Sequence, residues 1–344
     1  MLAETKKEHY VPRCYLKNFS STPEHINVFD KHKMQIRLNQ KLLDVAMENH
    51  FYDLDFDSIF NKATLEEQEK ITQDLKQILE TENIEETIRQ LDGSQHIEKQ
   101  FFSTLEGVYS NLLQNIIKKS YGGSTWVMKN CRAFSAEEKD LLAFFIAIQI
   151  IRTKSFRESL SSTYEQFVQA LAYKTQMCEE DALPRDAFAV SVNKDYIKLE
   201  HSGMILDPDM AVDFANAIRQ HIWVMYVNKT DTPFYTSDDP VVNIPHKHDR
   251  FISYSGLSSD GIEIIFPISP MLLLGMYDAK TYSTLFADKS FMQADIELVE
   301  YFNRAQIIHC QRCVFSCSDD FAFAEQICTE NPEFRTFTPY IEVL

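Results

Sequence analysis

Glycine and proline are scarce, 8 and 11 in 344 residues, which excludes collagen-like and low-complexity chains. No apolar run approaches the 18 or more residues that a membrane span needs. The richest stretch, 141–151, ends in Arg152 and reads as a buried helix. The opening, MLAETKKEHYVPR, lacks the apolar core of a signal peptide. Cysteine is sparse and odd in number, seven, so the expectation is reduced thiols in a cytoplasmic protein without membrane contact. There is no GxGxxG or GxxxxGK[ST] phosphate loop, no GxSxG elbow and no HExxH, so the common chemistries those motifs carry find no support. Basic residues are the minority, 34 against 51 acidic, for a net charge of −17. That balance argues against broad coating of nucleic acid, which requires neutralising phosphates. Residues 53–92 hold nearly half of the deficit, with twelve acidic against four basic residues. A local basic pocket elsewhere therefore stays open.

What is present is globular: 44% hydrophobic and 25% charged residues, enough to bury a core. No Gly-, Ser- or Pro-rich linker divides the chain. The expectation is one composite α+β domain over 1–344. It has an N-terminal β/helix segment (1–60), a largely helical region (61–221) and a β-rich α+β region (222–344). Two alternating runs at 25–29 and 34–38 flank Asp30-Lys31-His32-Lys33 and predict a hairpin. A third extended piece is expected over 44–52. Thr64 with Glu67 and Ser135 with Glu138 resemble capping boxes for helices over 64–92 and 135–157. Another helix is expected over 95–119, and helices continue to about residue 180. A further one is expected over 208–221. Strands are expected at 222–227, 234–236, 261–267, 271–276, 307–316 and 336–343, and a helix over 290–306.

Glu8-His9-Tyr10-Val11-Pro12-Arg13-Cys14-Tyr15-Leu16-Lys17-Asn18-Phe19 resembles the HYVP-x-x-YL-x-x-F signature that opens the domain-of-unknown-function 4238 family, which is scattered among bacteria. Further blocks resemble that family in order. They are Val45-Ala46 with Glu48 and Phe51-Tyr52, the pair Glu98 and Glu106, and Gln149 with Arg152-Thr153. Ser237-Asp238-Asp239-Pro240 and Pro267-Ile268-Ser269-Pro270 follow. The resemblance marks positions rather than an activity.

Each constellation has two readings. His9, Tyr10 and Arg13 could grip a phosphate or carboxylate, or simply pin the N-terminal segment. Glu98 and Glu106 fall on one broad helix face, as a metal or acid/base pair or as salt-bridge partners. Gln149 and Arg152 lie at i, i+3 in the most apolar helix. Arg152 needs a partner there, and Glu98 or Glu106 is the natural one. Asp238 is either a turn carboxylate bonded to nearby backbone or a strand-end catalytic carboxylate able to hold Mg²⁺. Cys310 and Cys313 lack a second pair for zinc, and His246-Lys247-His248 reads as a solvated loop.

Two functions follow as expectations. In the first, His9, Glu98, Glu106 and Asp238 are catalytic, the three carboxylates holding Mg²⁺. Tyr10, Arg13, Glu48, Gln149, Arg152 and Ser237 bind a nucleotide or nucleic acid. The set would hydrolyse phosphodiesters, as a nuclease-like effector in bacterial phage defence. In the second, the chain is a non-enzymatic binding or interaction module whose polar network is structural.

Overall fold

A computed structural model describes residues 7–52, 64, 68–69, 73, 97–121, 132–176, 191–249 and 252–339. Three sheets organise them. A short ribbon pairs β1 (Lys7–His9) with β4 (Met47–Asn49), antiparallel, with Glu8 opposite Glu48. An antiparallel sheet draws on both ends of the chain. The hairpin β2 (His25–Asp30) and β3 (Gln35–Lys41) continues through β11 (Cys313–Ser316) to β6 (Thr236–Ser237), in the order β3-β2-β11-β6. The third sheet has five strands, β5 (Ile222–Asn228), β7 (Val242–Pro245), β8 (Ile262–Ser269), β9 (Leu272–Tyr277) and β10 (Ser290–Ala294). Its order is β10-β5-β9-β8-β7, and only β10–β5 is parallel.

The helices are α1 (Arg13–Leu16), α2 (Ser103–Tyr121), α3 (Ala136–Ile151), α4 (Lys154–Gln176), α5 (Lys194–Leu206) and α6 (Pro208–Arg219). Then come α7 (Ala279–Tyr282), α8 (Ile296–His309) and α9 (Ala322–Glu330). The α+β class expected from the sequence is the class observed. No helix among the described residues is long and apolar enough to cross a membrane.

Every residue of β5 and β9 is buried, because the five-stranded sheet is covered on both faces. Trp223, Met225 and Val227 join the main core with α3 and α6. Ile222, Val224 and Tyr226 pack with Val299, Phe302 and Ala305 of α8.

Several local expectations hold in detail. The hairpin forms, and Ser135 with Glu138 makes a full capping box on α3. Others need correction. The helix expected over 135–157 breaks at 152–153, since the Thr153 hydroxyl accepts Phe156 N at 3.2 Å and so opens α4. The helix expected over 290–306 begins six residues late, at Ile296. Residues 290–294 pair with β5 instead, where edge pairing overrides helical periodicity. The strand expected over 307–316 is reduced to β11, as α8 runs on to His309. Over 44–52 only β4 is a strand, and 336–339 is not one. The 95–119 helix opens with a π-helical turn, Ile97–Phe102. The 64–92 helix lies almost wholly outside the described residues.

Candidate functional site

The residues singled out by sequence fall into two polar knots and a remainder. The first knot surrounds Arg152, the residue that caps α3. It is 2% exposed. Its Nη1 donates to Glu106 Oε1 at 3.0 Å and its Nη2 to the His9 carbonyl at 2.6 Å. The guanidinium also lies 3.8 Å over the Phe102 ring. Gln149 Nε2 donates to the Tyr10 carbonyl at 3.3 Å, and Tyr52 OH donates to the Arg152 carbonyl at 2.8 Å. Glu106 is thus the partner that the buried arginine required. The void beside this knot measures about 10 Å³, at most the space of one water.

The second knot is built on the turn between β6 and β7, where the chain crosses from one sheet to the other. Asp238 is buried. Its two oxygens take the backbone N–H groups of Gln311, Arg312 and Cys313 at 2.8–3.2 Å. Burial pushes its pKa up to about 6, against those N–H groups and the Lys31 charge, which favour the anion. Ser237 Oγ sits 2.7 Å from Gln306 Oε1, and Gln306 Nε2 donates to the Pro240 carbonyl at 3.0 Å. One turn earlier on α8, Asn303 accepts Tyr235 N and donates to the Pro233 carbonyl. The α8 side chains therefore clasp the crossover from Pro233 to Pro240.

The other candidates do not join a common centre. Arg13 is exposed at the start of α1, and Glu48 is exposed and paired with Lys154 at 3.0 Å. Glu98 lies in the π-helical turn, and its side chain is outside the described residues. His9 and Tyr10 are buried, and their carbonyls rather than their side chains meet Arg152 and Gln149. Burial, with Asp238 and Cys313 nearby, raises the Tyr10 phenol pKa. No group of three or more His, Cys, Asp or Glu side chains among the described residues is placed to hold a metal ion. The Asp238 oxygens are turned to N–H donors, the reverse of a carboxylate ready for Mg²⁺. Cys310 caps α8 rather than lying in a strand, whereas His246-Lys247-His248 is an exposed loop after β7, in which His246 Nε2 lies 2.8 Å from buried Glu263.

Between the knots lies a cavity of about 410 Å³, within the usual range for small-molecule sites. Ile150, Phe156, Leu160, Phe214, Val241 and Leu257 supply its apolar wall. Its polar groups are Thr153, Ser159 and Thr163 from the α3–α4 region, Asn243 from β7, and Ser253, Ser255 and Ser259 from the loop before β8. None of its described lining residues is lysine or arginine.

Among the described lining residues the one ionisable group is Asp239. Burial, together with the neighbouring Asp238 charge, pushes its pKa up to about 8, although a hydrogen bond with Ser155 pulls the other way. At neutral pH the group is mainly the carboxylic acid, able to donate a hydrogen bond. Beside it, Ser155 Oγ lies 3.0 Å from Thr153 Oγ1, which donates to the Ile150 carbonyl at 2.9 Å.

Two family-like blocks thus converge after all, though not through the side chains first singled out. Thr153 follows Arg152, and Asp239 follows Asp238. The knots fix the backbone, and the next residue in each block lines the cavity. Sequence reading missed the serine loop because hydroxyl-rich segments read as solvated turns.

A family model described as "Protein of unknown function (DUF4238)" matches residues 7–320. No curated protein and no solved structure matches the chain.

Proposed function

The chain belongs to the DUF4238 family of proteins of unknown function, and from that premise we propose that it is a binding module for a small uncharged or cationic ligand, held in the Thr153–Asp239 cavity. The observation that carries this reading is the pairing of a 410 Å³ cavity, with no basic residue among its described lining residues, with a buried, largely protonated Asp239. A phosphate would enter such a site without a cation to meet it and would face a carboxyl group that its charge keeps neutral. A neutral ring between Phe156 and Phe214, hydrogen-bonded by Asp239 and the surrounding hydroxyls, meets no such penalty. In this reading Arg152, Glu106, Gln149, Asp238 and Ser237 are scaffold, and their polar groups act on backbone or on one another and Gln306.

Nucleotide or phosphodiester hydrolysis in phage defence is the second reading, and one observation favours it. An aspartic acid that titrates near neutral pH suits a general acid. The two readings separate in one experiment on the purified chain. Ligand-observed NMR is run with 2-phenylethanol and with AMP, beside a turnover assay on nucleotides and single-stranded DNA with Mg²⁺. The binding reading expects 2-phenylethanol contacts that vanish in Leu160→Trp, which fills the cavity, and no turnover. Turnover lost in Asp239→Asn at unchanged Tm favours hydrolysis instead.

A further inference from the structure

A second cavity of about 330 Å³ adjoins the first. Both have Asn243 and Ser255 in their walls, and Asn243 Nδ2 donates to the Ser255 carbonyl at 2.9 Å. One pair of residues therefore separates two spaces. The far wall of the second is the segment after α9, with Glu333, Phe334 and Phe337, and His309 closes the end of α8 against it.

The lining chemistry differs from that of the first cavity. Glu333 is exposed and brings a carboxylate to this wall. Phe334 and Phe337 share this wall, and Phe334 already has the Arg304 guanidinium 5.8 Å from its centroid, so a ring of this wall meets cations. Burial and the Lys31 charge push the His309 pKa down to about 4. Its imidazole is neutral at physiological pH and offers a lone pair rather than a positive charge. No lysine or arginine is among the described lining residues here either.

We infer that the two cavities are halves of one site for a two-part ligand. An uncharged ring lies in the Thr153–Asp239 cavity, and a primary ammonium group reaches past Asn243 and Ser255 to Glu333 and the phenylalanine rings. This rests on the binding reading above and adds to it the charge and the length of the ligand. The ammonium group has three donors, which Glu333 and the neutral His309 are able to accept. The net charge of −17 draws cations toward the protein generally, so the test must separate this local site from general attraction.

The experiment is isothermal titration of the full chain with ω-phenylalkylamines of two to eight carbons, each matched to its alcohol. Wild type is compared with Glu333→Gln and Leu160→Trp at two salt concentrations. The expected result is one optimum chain length, at which the amine binds at least ten times more tightly than the alcohol. Glu333→Gln should reduce the amine to the affinity of the alcohol and leave the alcohol unchanged. Leu160→Trp should remove both. An amine advantage that survives Glu333→Gln, or that has no length optimum, overturns the inference as general charge attraction. Alcohols that bind while amines bind no better overturn the two-part ligand and leave the first cavity intact. If neither series binds wild type, the reading of the first cavity fails as well. Circular dichroism melts of both variants check that they are folded.

Discussion

Arg152 shows how a charged residue ends up at the centre of a core. Its guanidinium satisfies a carboxylate, a strand carbonyl and an aromatic face at once, so α3 ends by clamping β1 against α2. Removing one member of such a buried pair is more costly than never having built it. Arg152→Leu should therefore lower stability by roughly 3 kcal/mol, read as a shifted urea midpoint; an unchanged midpoint would show that the clamp is ornamental. Asp239 makes a prediction in pH. Its folded pKa of about 8 lies above the unfolded value of about 4. The native chain thus holds an extra proton between those limits, and stability falls as pH rises through them. His201 and His309, lowered by burial to about 3 and about 4, act oppositely, but only up to their unfolded pKa near 6.5. Between pH 6.5 and 8 the Asp239 decline stands apart from theirs. Urea unfolding should show wild type losing stability over that window relative to Asp239→Asn. Parallel profiles would contradict a buried neutral acid.

Among the elements, the crossover between β6 and β7 matters most, because it positions Asp239 and Val241. It is held from below by Asp238 and from the side by Asn303 and Gln306 of α8. Asp238→Ala leaves three N–H groups without their acceptor. A destabilisation of at least about 3 kcal/mol follows from charged hydrogen bonds of this kind. The amides of Gln311, Arg312 and Cys313 should then exchange hydrogen faster, and retained protection would argue against the clasp. The five-stranded sheet has its own tight point at Gly275. A Cβ there would lie 2.8 Å from Tyr226 Cε2 and 2.9 Å from Tyr277 Cε2. Those two rings run a hydroxyl chain to buried Glu263, which also accepts from Tyr301. Gly275→Ala should cost about 1–3 kcal/mol by overpacking, seen as a lower Tm; an unchanged Tm would mean that the rings yield freely.

The same elements show what a sequence makes visible. The capping box at Ser135, the hairpin around Asp30–Lys33 and the buried strands near 222 and 272 are local patterns, and local patterns survive folding. The need of Arg152 for a carboxylate was legible too, because a charge in an apolar helix demands one. Residues 290–294 were not legible as a strand, since their pairing with β5 joins segments far apart in sequence. Nor was the cavity. Its wall is assembled from α3, α4, α6, the crossover with β7, and the loop before β8, and the hydroxyls that line it look in sequence like those of any solvated loop. Asp238 and Asp239 are neighbours of the same type, and only the 311–313 turn makes one of them scaffold and leaves the other at the cavity.

At the level of the whole molecule, the polar positions that carry the family resemblance hold sheets and helices in register, and the space they frame is uncharged. A chain with net charge −17 and a cavity with no basic residue among its described lining residues is suited to ligands that carry no negative charge. The most direct test is a crystallographic soak of the full chain with a fragment set divided equally into neutral, cationic and phosphate-bearing compounds. The account predicts density for neutral or cationic fragments between Phe156, Phe214 and Asp239, and none for phosphates there. Phosphate density on Arg152 or Asp238, with the cavity left to water, would contradict it.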